Sequence, residues 1–351
     1  MSMVIINDVH IGVVRQAGTT PASASALGNY IWERFQSLVD TAVEQGMDLM
    51  ILGDLFDSAN VQSGELVFVF QVLNEFLDSG KKLILVAGNH DLSKNILKQS
   101  AFDVLAAVLK DRPNCQVIQC VSSDLAGVRI SEHAYVIPHV PNQDLFNEEL
   151  EVGLKSGAPW LFVHANYDNH FAEQSDHSLN VSAEFAERAA AKGVSIFFAH
   201  EHQARRFNNI WVAGNQFPTS VADCLGNDFK YYHTFDTEPH AHVFWKAQTD
   251  FQKIDWTDLD FVNPEAKFIR VGGQASEVQA ADAQERIYRL RQSHKAFVIT
   301  NAVTIEGQSL EDSVSESIES IQQLDVLQLL YSMLEPAQVE VLKKLQESQD
   351  V

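Results

Sequence analysis

Five short clusters of aspartate, asparagine and histidine stand out in this sequence, because side chains of these types bind metal ions and transfer protons. In chain order they are Asp8 with His10, Asp54 with Asp57, Asn89 with His90, His164, and His200 with His202. Any one of them has an ordinary explanation, since Asp and Asn after a strand are commonly turn formers or helix caps. Capping alone does not predict five such clusters, each at the end of a predicted buried strand.

The residue types indicate which ions such clusters would bind. Mixed imidazole and carboxylate ligands favour Mn, Fe or Zn over Mg or Ca, because nitrogen donors suit softer ions. Seven of these side chains suffice for two divalent ions that share a bridging ligand. We expect manganese, with Mg, Fe and Zn as alternatives.

The elements that must position the clusters follow from the hydrophobic pattern. Apolar runs at 4–6, 49–52 and 83–86 predict buried strands, with helices at 29–45 and 65–77 between them. Such β-α units predict a largely parallel sheet with its chemistry at the strands' carboxyl ends. Further strands are expected at 116–119, 135–138, 160–164 and 195–200, which would place all five clusters on one rim of one sheet. Residues 15–27 are predicted to form a surface loop, and 210–213 with 242–245 an antiparallel pair.

The remaining chain predicts two smaller units. After Asp255 the pattern becomes a short β-α-β arrangement with strands at 268–271 and 297–305 and a helix at 281–291. Gly307 separates this segment from a tail in which residues 309–347 are predicted to form two helices. We therefore divide the chain into a main domain at 1–255, a capping domain at 256–307 and a helical segment at 308–351.

Composition bounds the class of protein. The chain has 351 residues and a net charge of 25 − 47 = −22, with 46% hydrophobic and 21% charged residues, which is typical of a folded protein. No stretch approaches the roughly 20 apolar residues of a membrane span, and no basic leader precedes the first strand. Three cysteines without a CxxC spacing indicate neither a disulfide framework nor a zinc-thiolate site. We expect a cytoplasmic protein that does not enter a membrane.

The acidity bears on the partners that the protein could bind. Phosphate binding normally appears as an excess of Lys and Arg, so a charge of −22 argues at first against nucleic acid. Residues 308–351, however, carry nine acids against two lysines, a balance of 2 − 9 = −7, so about a third of the imbalance lies in the tail. Carboxylates that bind metal also count as negative here, although bound cations would offset them.

The order of the motifs resembles a known family. Asp-x-His, Gly-Asp-x-x-Asp, Gly-Asn-His-Asp, a lone His and His-x-His are similar to the motifs of calcineurin-like metallophosphoesterases over residues 4 to about 220. The resemblance implies an α/β fold, a sheet sandwich flanked by helices. It also implies that Asp54 bridges two metals. The ligands of one metal would be Asp8, His10 and His202, and those of the other Asn89, His164 and His200.

The same resemblance implies a mechanism. An activated water would attack the phosphorus directly, without a covalent enzyme intermediate. His90 would face the substrate and protonate the leaving oxygen, and Asp57 would accept a hydrogen bond from the other nitrogen of His90. The remaining interpretation of Asp57 is an N-cap of the next helix.

The residues around the ligands narrow the resemblance. Asp-Val-His-Ile-Gly at 8–12, GNHDLSKN at 88–95 and the segment Gly214-Asn215-x-x-x-Thr219-Ser220 are similar to the bacterial SbcD and meiotic recombination eleven nucleases. That family implies a DNA exonuclease acting 3′ to 5′ on double strands and an endonuclease on single strands, working as a homodimer. It also implies that residues 309–347 dock on an SbcC-type ABC ATPase. Lys94, Lys98, Arg205 and Arg206 are candidate contacts to the DNA backbone.

Two positions depart from the family pattern, and two other functions remain open. Ala199 stands where a glycine is common before His-x-His, and Asp57 stands where many relatives carry His. One alternative is a stand-alone phosphodiesterase or phosphatase on nucleotides, which the net acidity would suit. The other is a non-enzymatic acidic scaffold or DNA mimic, against which the complete set of ligands argues.

Overall fold

The computed structural model describes residues 2–14, 21–93, 98–120, 125–169, 178–225 and 229–305. The strands within these ranges are β1 Met3–Ile6, β2 Asp48–Leu52, β3 Leu83–Val86, β4 Cys115–Ile118, β5 Val128–Arg129, β6 Ala134–Ile137, β7 Trp160–His164, β8 Asn166–Tyr167, β9 Asn180–Val181, β10 Ser195–Ala199, β11 Arg205–Phe207, β12 Ile210–Val212, β13 Phe229–Phe235, β14 Pro239–Lys246, β15 Phe251–Asp255, β16 Phe268–Gly272, β17 Gln274–Ala275, β18 Val298–Asn301 and β19 Thr304–Ile305. The α-helices are α1 Pro21–Glu44, α2 Ser63–Asp78, α3 Ala101–Leu109, α4 Gln143–Lys155, α5 Ala183–Ala191, α6 Ala247–Asp250 and α7 Glu277–Ser293. Short 3-10 helices lie at Ala222–Cys224 and Trp256–Phe261. The predicted helices at 309–347 lie outside the described residues.

Two six-stranded sheets form the main body. The first has the order β14-β13-β1-β2-β3-β4, in which β1 to β4 are parallel and β13 is antiparallel to β1. The second has the order β11-β12-β10-β7-β6-β5, with β12, β10, β7 and β6 parallel and antiparallel strands at both edges. Their central strands are apolar almost throughout, as expected for strands covered on both faces.

The alternation of side chains along each strand divides the core into layers. In β1, Met3 and Ile5 face Phe162 and Phe197 of the second sheet, whereas Val4 packs with the helices on the outer face. The outer face of the second sheet is covered by α4 and α5. The molecule is therefore a sheet sandwich flanked by helices, which confirms the expected α/β fold.

A small parallel sheet, β15-β16-β18, completes the described chain. It includes Phe251–Asp255, a segment that the division at residue 255 assigned to the main domain. One face packs on α7. From the other side, Phe268 and Phe297 join the large core that contains Tyr30 of α1, so the two units share one apolar core.

Three expectations about the elements were wrong. Helix α1 begins at Pro21, within the predicted loop at 15–27, because proline suits the first turn of a helix and Leu27 is buried. Residues 210–212 pair with β10 and β11, and β14 pairs with β13, so the expected pair does not form. The five clusters also do not share one sheet, because His164 ends β7 and His200 follows β10, both strands of the second sheet.

Among the helices that the structure describes, none has both the length and the apolar character needed to cross a bilayer.

Candidate metal centre

The loops that carry the candidate ligands have an unusual backbone. In the described chain, six non-glycine residues have positive φ, and four of them are candidate ligands: Asp8 at 49°, His10 at 54°, Asp54 at 51° and His200 at 86°. Non-glycine residues rarely adopt this left-handed region, and strain of this kind concentrates at functional sites. The backbone thus turns sharply after β1, β2 and β10 and directs these side chains toward one point.

Two glycines permit the close approach of these loops. A Cβ on Gly53, which has φ 79°, would lie 2.1 Å from Nδ1 of His164. A Cβ on Gly88 would lie 2.3 Å from a carboxylate oxygen of Asp54. Any larger residue would separate the loops after β2 and β3 from each other or from the second sheet.

The first group of donors contains Asp8, His10 and His202, whose ligand atoms lie within 4.8 Å of one another. Nε2 of His10 is 3.2 Å from Nε2 of His202. The Asp8 carboxylate accepts hydrogen bonds from Nδ2 of Asn7 at 2.6 Å and from the backbone N–H of His200 at 3.0 Å. The structure brings together the three residues that the resemblance assigned to one metal.

The second group contains Asp54, His164 and His200, also within 4.8 Å. Nε2 of His164 lies 3.2 Å from Oδ2 of Asp54 and 3.1 Å from Oδ1 of Asn89. Nδ1 of His164 donates to the carbonyl of Leu52 at 3.2 Å, which leaves Nε2 directed into the site. The group therefore matches the set expected for the other metal.

Asp54 lies between the two groups. Its Oδ2 atom is 3.2 Å from Nε2 of His164 and 4.0 Å from Nε2 of His10. Its Oδ1 atom accepts a hydrogen bond from the backbone N–H of His90 at 2.9 Å, which fixes the carboxylate plane. This is the position that a bridging ligand would occupy.

His90 and Asp57 are adjacent, but through different atoms from those expected. Nδ1 of His90 donates a hydrogen bond to the backbone carbonyl oxygen of Asp57, at 2.6 Å. The Asp57 carboxylate lies 3.3 Å from Nδ1 of His10. The sequence had suggested a bond between the Asp57 carboxylate and His90. One residue thus contacts both a candidate ligand and the candidate proton donor.

Charge interactions within the cluster shift several pKa values. Burial disfavours the charged form of His164, but the charge of Asp54 and its hydrogen bond outweigh burial and raise the pKa to about 9. Burial likewise opposes ionisation of Asp54, yet the charge of His164 and its hydrogen bond hold the pKa of this carboxyl well below its usual range. For His200, burial and then the charge of His164 lower the pKa to about 4. The buried carboxylates therefore attract positive charge strongly.

These donors fit divalent cations. Two imidazole nitrogens 3.2 Å apart, both facing a carboxylate, repel each other unless a proton or a cation lies between their lone pairs. Imidazole nitrogen with carboxylate and amide oxygen is the ligand chemistry of Mn, Fe and Zn sites. Asp8, His10 and His202 would hold one ion, Asn89, His164 and His200 the other, and Asp54 both.

The candidate DNA contacts that the structure describes, Arg205, Arg206 and Lys98, have three different environments. Arg205 pairs with Glu201, whose Oε1 atom lies 2.9 Å from Nη2. The guanidinium of Arg206 lies 4.0 Å from the ring centroid of Trp211, which is a cation–π contact. Lys98 is exposed, and Lys94 lies outside the described residues. The contacts of the three described residues therefore do not indicate a shared groove for the DNA backbone.

Three buried residues near the site were not predicted. Asp91 accepts hydrogen bonds from the backbone of Phe56 and Gly88, both at 2.9 Å, and so ties the loop after β2 to the loop after β3. Burial and the charge of Asp54 raise the pKa of Asp91 to about 6. Asp223 and Lys230 contact His202. Asp91 stands inside the quoted Gly-Asn-His-Asp motif, which was a usable signal; the other two follow the quoted segment that ends at Ser220.

Comparisons with known proteins bear on the family. A profile described as "Calcineurin-like phosphoesterase" matches residues 1–204. The DNA double-strand break repair protein Mre11 of Saccharolobus solfataricus is 27% identical over 145 residues, which cover 39% of this chain and 32% of that protein. The chain thus spans about a third of the length of the curated relative it matches.

Solved structures of phosphatases are also similar. A cold-active protein-tyrosine phosphatase of a psychrophilic Shewanella has a TM-score of 0.34 and 13% identity, covering 70% of this chain and 80% of that one. A dimetal phosphatase from Danio rerio has a TM-score of 0.29 and 11% identity, covering 59% and 70%.

Proposed function

The chain belongs to the calcineurin-like phosphoesterase family of metal-dependent phosphoester hydrolases, and we propose that it is a two-metal DNA nuclease subunit. The observation that carries the proposal is the position of Asp54, with one carboxylate oxygen between two groups of imidazole and carboxylate donors. Support for DNA as the substrate comes from the similarity to a relative named as a DNA double-strand break repair protein. We propose exonuclease action, 3′ to 5′ on double strands, together with endonuclease action on single strands.

The residues of the chain divide the work between binding and proton transfer. Two bound cations would withdraw electron density from a phosphodiester and acidify a water molecule. The donors of the two groups would hold the ions, and they bring the charges of two buried carboxylates, Asp8 and Asp54, to the same point. Nothing in this arrangement requires a nucleophile from the chain, so attack by water on phosphorus is direct.

His90 acts on the leaving group. Its Nδ1–H is held by the carbonyl of Asp57, so the ring presents Nε2 to the substrate, and a proton carried there in the imidazolium form would be the one delivered. Its backbone N–H is held by Asp54, which fixes the ring beside the candidate metals. A proton given to the departing alkoxide would neutralise the charge that develops when the P–O bond breaks.

Incubation of the purified protein with linear and circular DNA in Mn²⁺, Mg²⁺ or EDTA tests this function. We expect cleavage in Mn²⁺ and none in EDTA, because the donor set suits manganese and no residue replaces the metals. Single-stranded circles should be cut, and duplexes with labelled ends should be shortened from their 3′ ends. Metal-dependent hydrolysis of a chromogenic diester with both DNAs left intact would contradict the assignment of DNA.

A second candidate is a phosphodiesterase or phosphatase acting on nucleotides. Two observations favour it: the net charge of −22 and the engagement of Arg205 by Glu201 and of Arg206 by Trp211. A small substrate would not need an extended basic surface. The chromogenic assay above distinguishes the two candidates, since only the nucleotide enzyme would be limited to small esters.

We further propose that the nuclease is a cytoplasmic homodimer that works with an SbcC-type ABC ATPase through residues 309–347. That segment lies outside the described residues, and its support is the acidic, leucine-containing sequence after Gly307. A chain that ends at Gly307 should keep two metals and basal Mn²⁺-dependent cleavage but lose ATP-stimulated digestion. Capture of the ATPase by the truncated chain at undiminished affinity would place the partner site elsewhere.

A further inference from the structure

Behind His202, on the side away from the other ligands, lies a buried polar cluster that the mechanism above does not use. It consists of Asp223 and Lys230 with their partners in residues 214–220. Asp223 is 4% exposed and Lys230 only 1% exposed. Both contact His202, and burial of two charged side chains against one candidate ligand needs an explanation, since buried charges are costly unless paired.

The two carboxylate oxygens of Asp223 have different partners. Oδ2 accepts from the backbone N–H and hydroxyl of Thr219, both at 2.9 Å, and from the backbone N–H of Ser220 at 3.0 Å. Oδ1 lies 2.8 Å from Nδ1 of His202. A residue that only closed the turn at 219–223 would have no use for the second contact.

This contact determines which nitrogen of His202 faces the metals. A carboxylate only accepts hydrogen bonds, so Nδ1 carries the proton and the lone pair of Nε2 points toward His10 and Asp8. The His202 side chain is 27% exposed, compared with 5% for His10 and 0% for His164. Packing therefore restrains the His202 ring less than it restrains the rings of His10 and His164. The orientation of His202 depends correspondingly more on its hydrogen bond to Asp223.

Lys230 contacts the backbone of His202. Its ammonium group, on β13, donates to the carbonyl of His202 at 2.9 Å and to Oδ1 of Asn215 at 2.6 Å. The loop after β10 is thereby tied to the first sheet at the residue that must reach the metals.

We propose that Asp223 and Lys230 are positioning residues that orient His202 and set the affinity of the site for the cation that His202 binds. The inference rests on the proposed function only in taking the site to hold two divalent cations. It assigns no role in DNA recognition and none in proton transfer to the substrate.

The experiment compares Asp223→Asn and Lys230→Met with a matched control in the full-length chain. The control is Glu149→Gln, because Glu149 is also fully buried and accepts backbone hydrogen bonds, from Ala126 and Gly127, but belongs to α4 outside the site. Calorimetric titration with Mn²⁺ gives the number of ions and the affinity of each. The visible absorption of the Co²⁺-saturated protein reports the ligand geometry once affinity no longer limits occupancy. Thermal unfolding of the metal-free variants shows whether each remains folded.

We expect Asp223→Asn to lower the affinity for one ion by about 10- to 100-fold, the usual effect of removing a partner that orients a metal-binding histidine. The other ion should keep its affinity, and the Co²⁺ spectrum should change. Lys230→Met should lower the affinity for the same ion. Glu149→Gln should keep both affinities and the wild-type spectrum even if it lowers the melting temperature.

Two results would overturn the inference. One is an Asp223→Asn variant that is folded and binds both ions with wild-type affinity and spectrum. The other is a loss in both variants that Glu149→Gln reproduces, because the effect would then be general destabilisation. DNA cleavage is not measured in this experiment, so the inference and the nuclease assignment can fail independently.

Discussion

At the scale of single residues, the chemistry depends on how each side chain is held as well as on what it is. Each of three histidines has a defined acceptor at Nδ1: the carbonyl of Leu52 for His164, the carbonyl of Asp57 for His90, and the carboxylate of Asp223 for His202. All three bonds direct Nε2 into the site. This repeated arrangement is the one expected of imidazoles that bind metal or transfer protons through Nε2.

The proposed bridging role predicts that metal binding depends most strongly on Asp54. Asp54→Asn keeps an oxygen for the backbone N–H of His90 but removes the charge that both groups of donors share. We expect fewer than two ions per chain by elemental analysis and no measurable hydrolysis. Two ions still bound to the purified variant would show that Asp54 does not bridge.

Substitution of His90, unlike that of Asp54, should reduce hydrolysis without reducing metal binding. His90→Gln removes the proposed proton donor to the leaving oxygen but none of the ligands assigned to the two metals, so turnover should fall by about 10²- to 10⁴-fold. Mn²⁺ stoichiometry should remain at two. Turnover of a nitrophenyl ester should fall less in this variant, because nitrophenolate is a good leaving group that departs without being protonated. Loss of metal in this variant would make His90 a ligand.

A buried histidine outside the site makes stability depend on pH. His233 lies between the two sheets, where its Nε2 accepts from Trp211 at 3.2 Å. Burial and then the charge of His242 lower its pKa from 6.5 to about 3. The unfolded chain therefore binds a proton below pH 6.5 that the folded chain does not bind until about pH 3. Stability is fully present above pH 6.5 and falls as pH decreases through that window.

The effect is on the order of 1 kcal/mol per pH unit within the window. Urea unfolding between pH 7 and pH 4 should show a shallower loss of stability for His233→Gln, whose amide can still accept from Trp211. The matched control is His240→Gln, since the His240 side chain is 51% exposed. An unchanged slope in His233→Gln would mean that other groups cause the acid sensitivity.

At the scale of elements, the site depends on strand ends that approach one another closely. Apolar runs predicted the parallel strands of both sheets to within a residue or two, because strands buried on both faces read as continuous hydrophobic segments. The short edge strands β5 and β11 were missed, and so was β13, where Lys230 and His233 occupy buried positions and interrupt the pattern. Missing β13 also left β14 without its true partner.

Other features could not be read from the pattern at all. Alternation identifies a strand and its faces but does not say to which sheet the strand belongs, so the placement of His164 and His200 opposite Asp54 required the structure. The contact between His202 and Asp223 joins residues 21 positions apart across a turn and a short strand pair, with no periodicity to indicate it. The choice of the Asp57 carbonyl as partner of His90 is a property of the backbone and leaves no signature in residue types.

A pair of glycine substitutions tests the close approach of the strand ends. Gly53→Ala would place a methyl group 2.1 Å from the His164 ring, at a residue with φ 79°, so we expect loss of metal binding and a lower melting temperature. Gly28→Ala, in the middle of α1 with nothing within 4 Å, should instead raise stability by about 0.5–1 kcal/mol. Calorimetric unfolding and Mn²⁺ titration of both variants make the comparison. Wild-type metal affinity in Gly53→Ala would contradict the geometry.

At the scale of the whole molecule, the small sheet and the sandwich share one core. Tyr30 of α1 lies 5.2 Å from Phe297, ring centroid to ring centroid, and Phe297 lies 5.8 Å from Phe268. Lys267 and Asp250 form an ion pair at 3.2 Å in the same region. Shared apolar contacts of this kind favour a single unfolding transition over two independent ones.

Removal of the Phe297 ring should therefore lower the stability of both units together. Phe297→Ala should lower the free energy of unfolding by about 3–5 kcal/mol, the usual cost of a buried aromatic, while the two ions still bind. Phe261→Ala, in the same unit but 80% exposed, is the control and should change stability by less than about 0.5 kcal/mol. Two separate transitions in the calorimetric scan of the wild type would show that the units are independent.

The pairing of β1 with β13 has a consequence for how the protein is made. Met3 lies opposite Phe235, so the amino-terminal strand acquires its neighbour on that side only after more than 200 further residues have been synthesised. Until then a growing chain on the ribosome exposes one hydrogen-bonding edge of a wholly apolar strand, the kind of edge that recruits other chains. Contacts this distant in sequence also form slowly. The last parts of the candidate metal centre, His202 with Asp223 and Lys230, are synthesised with the same late segment, so a nascent chain lacks the supported set of candidate ligands before β13 is in place.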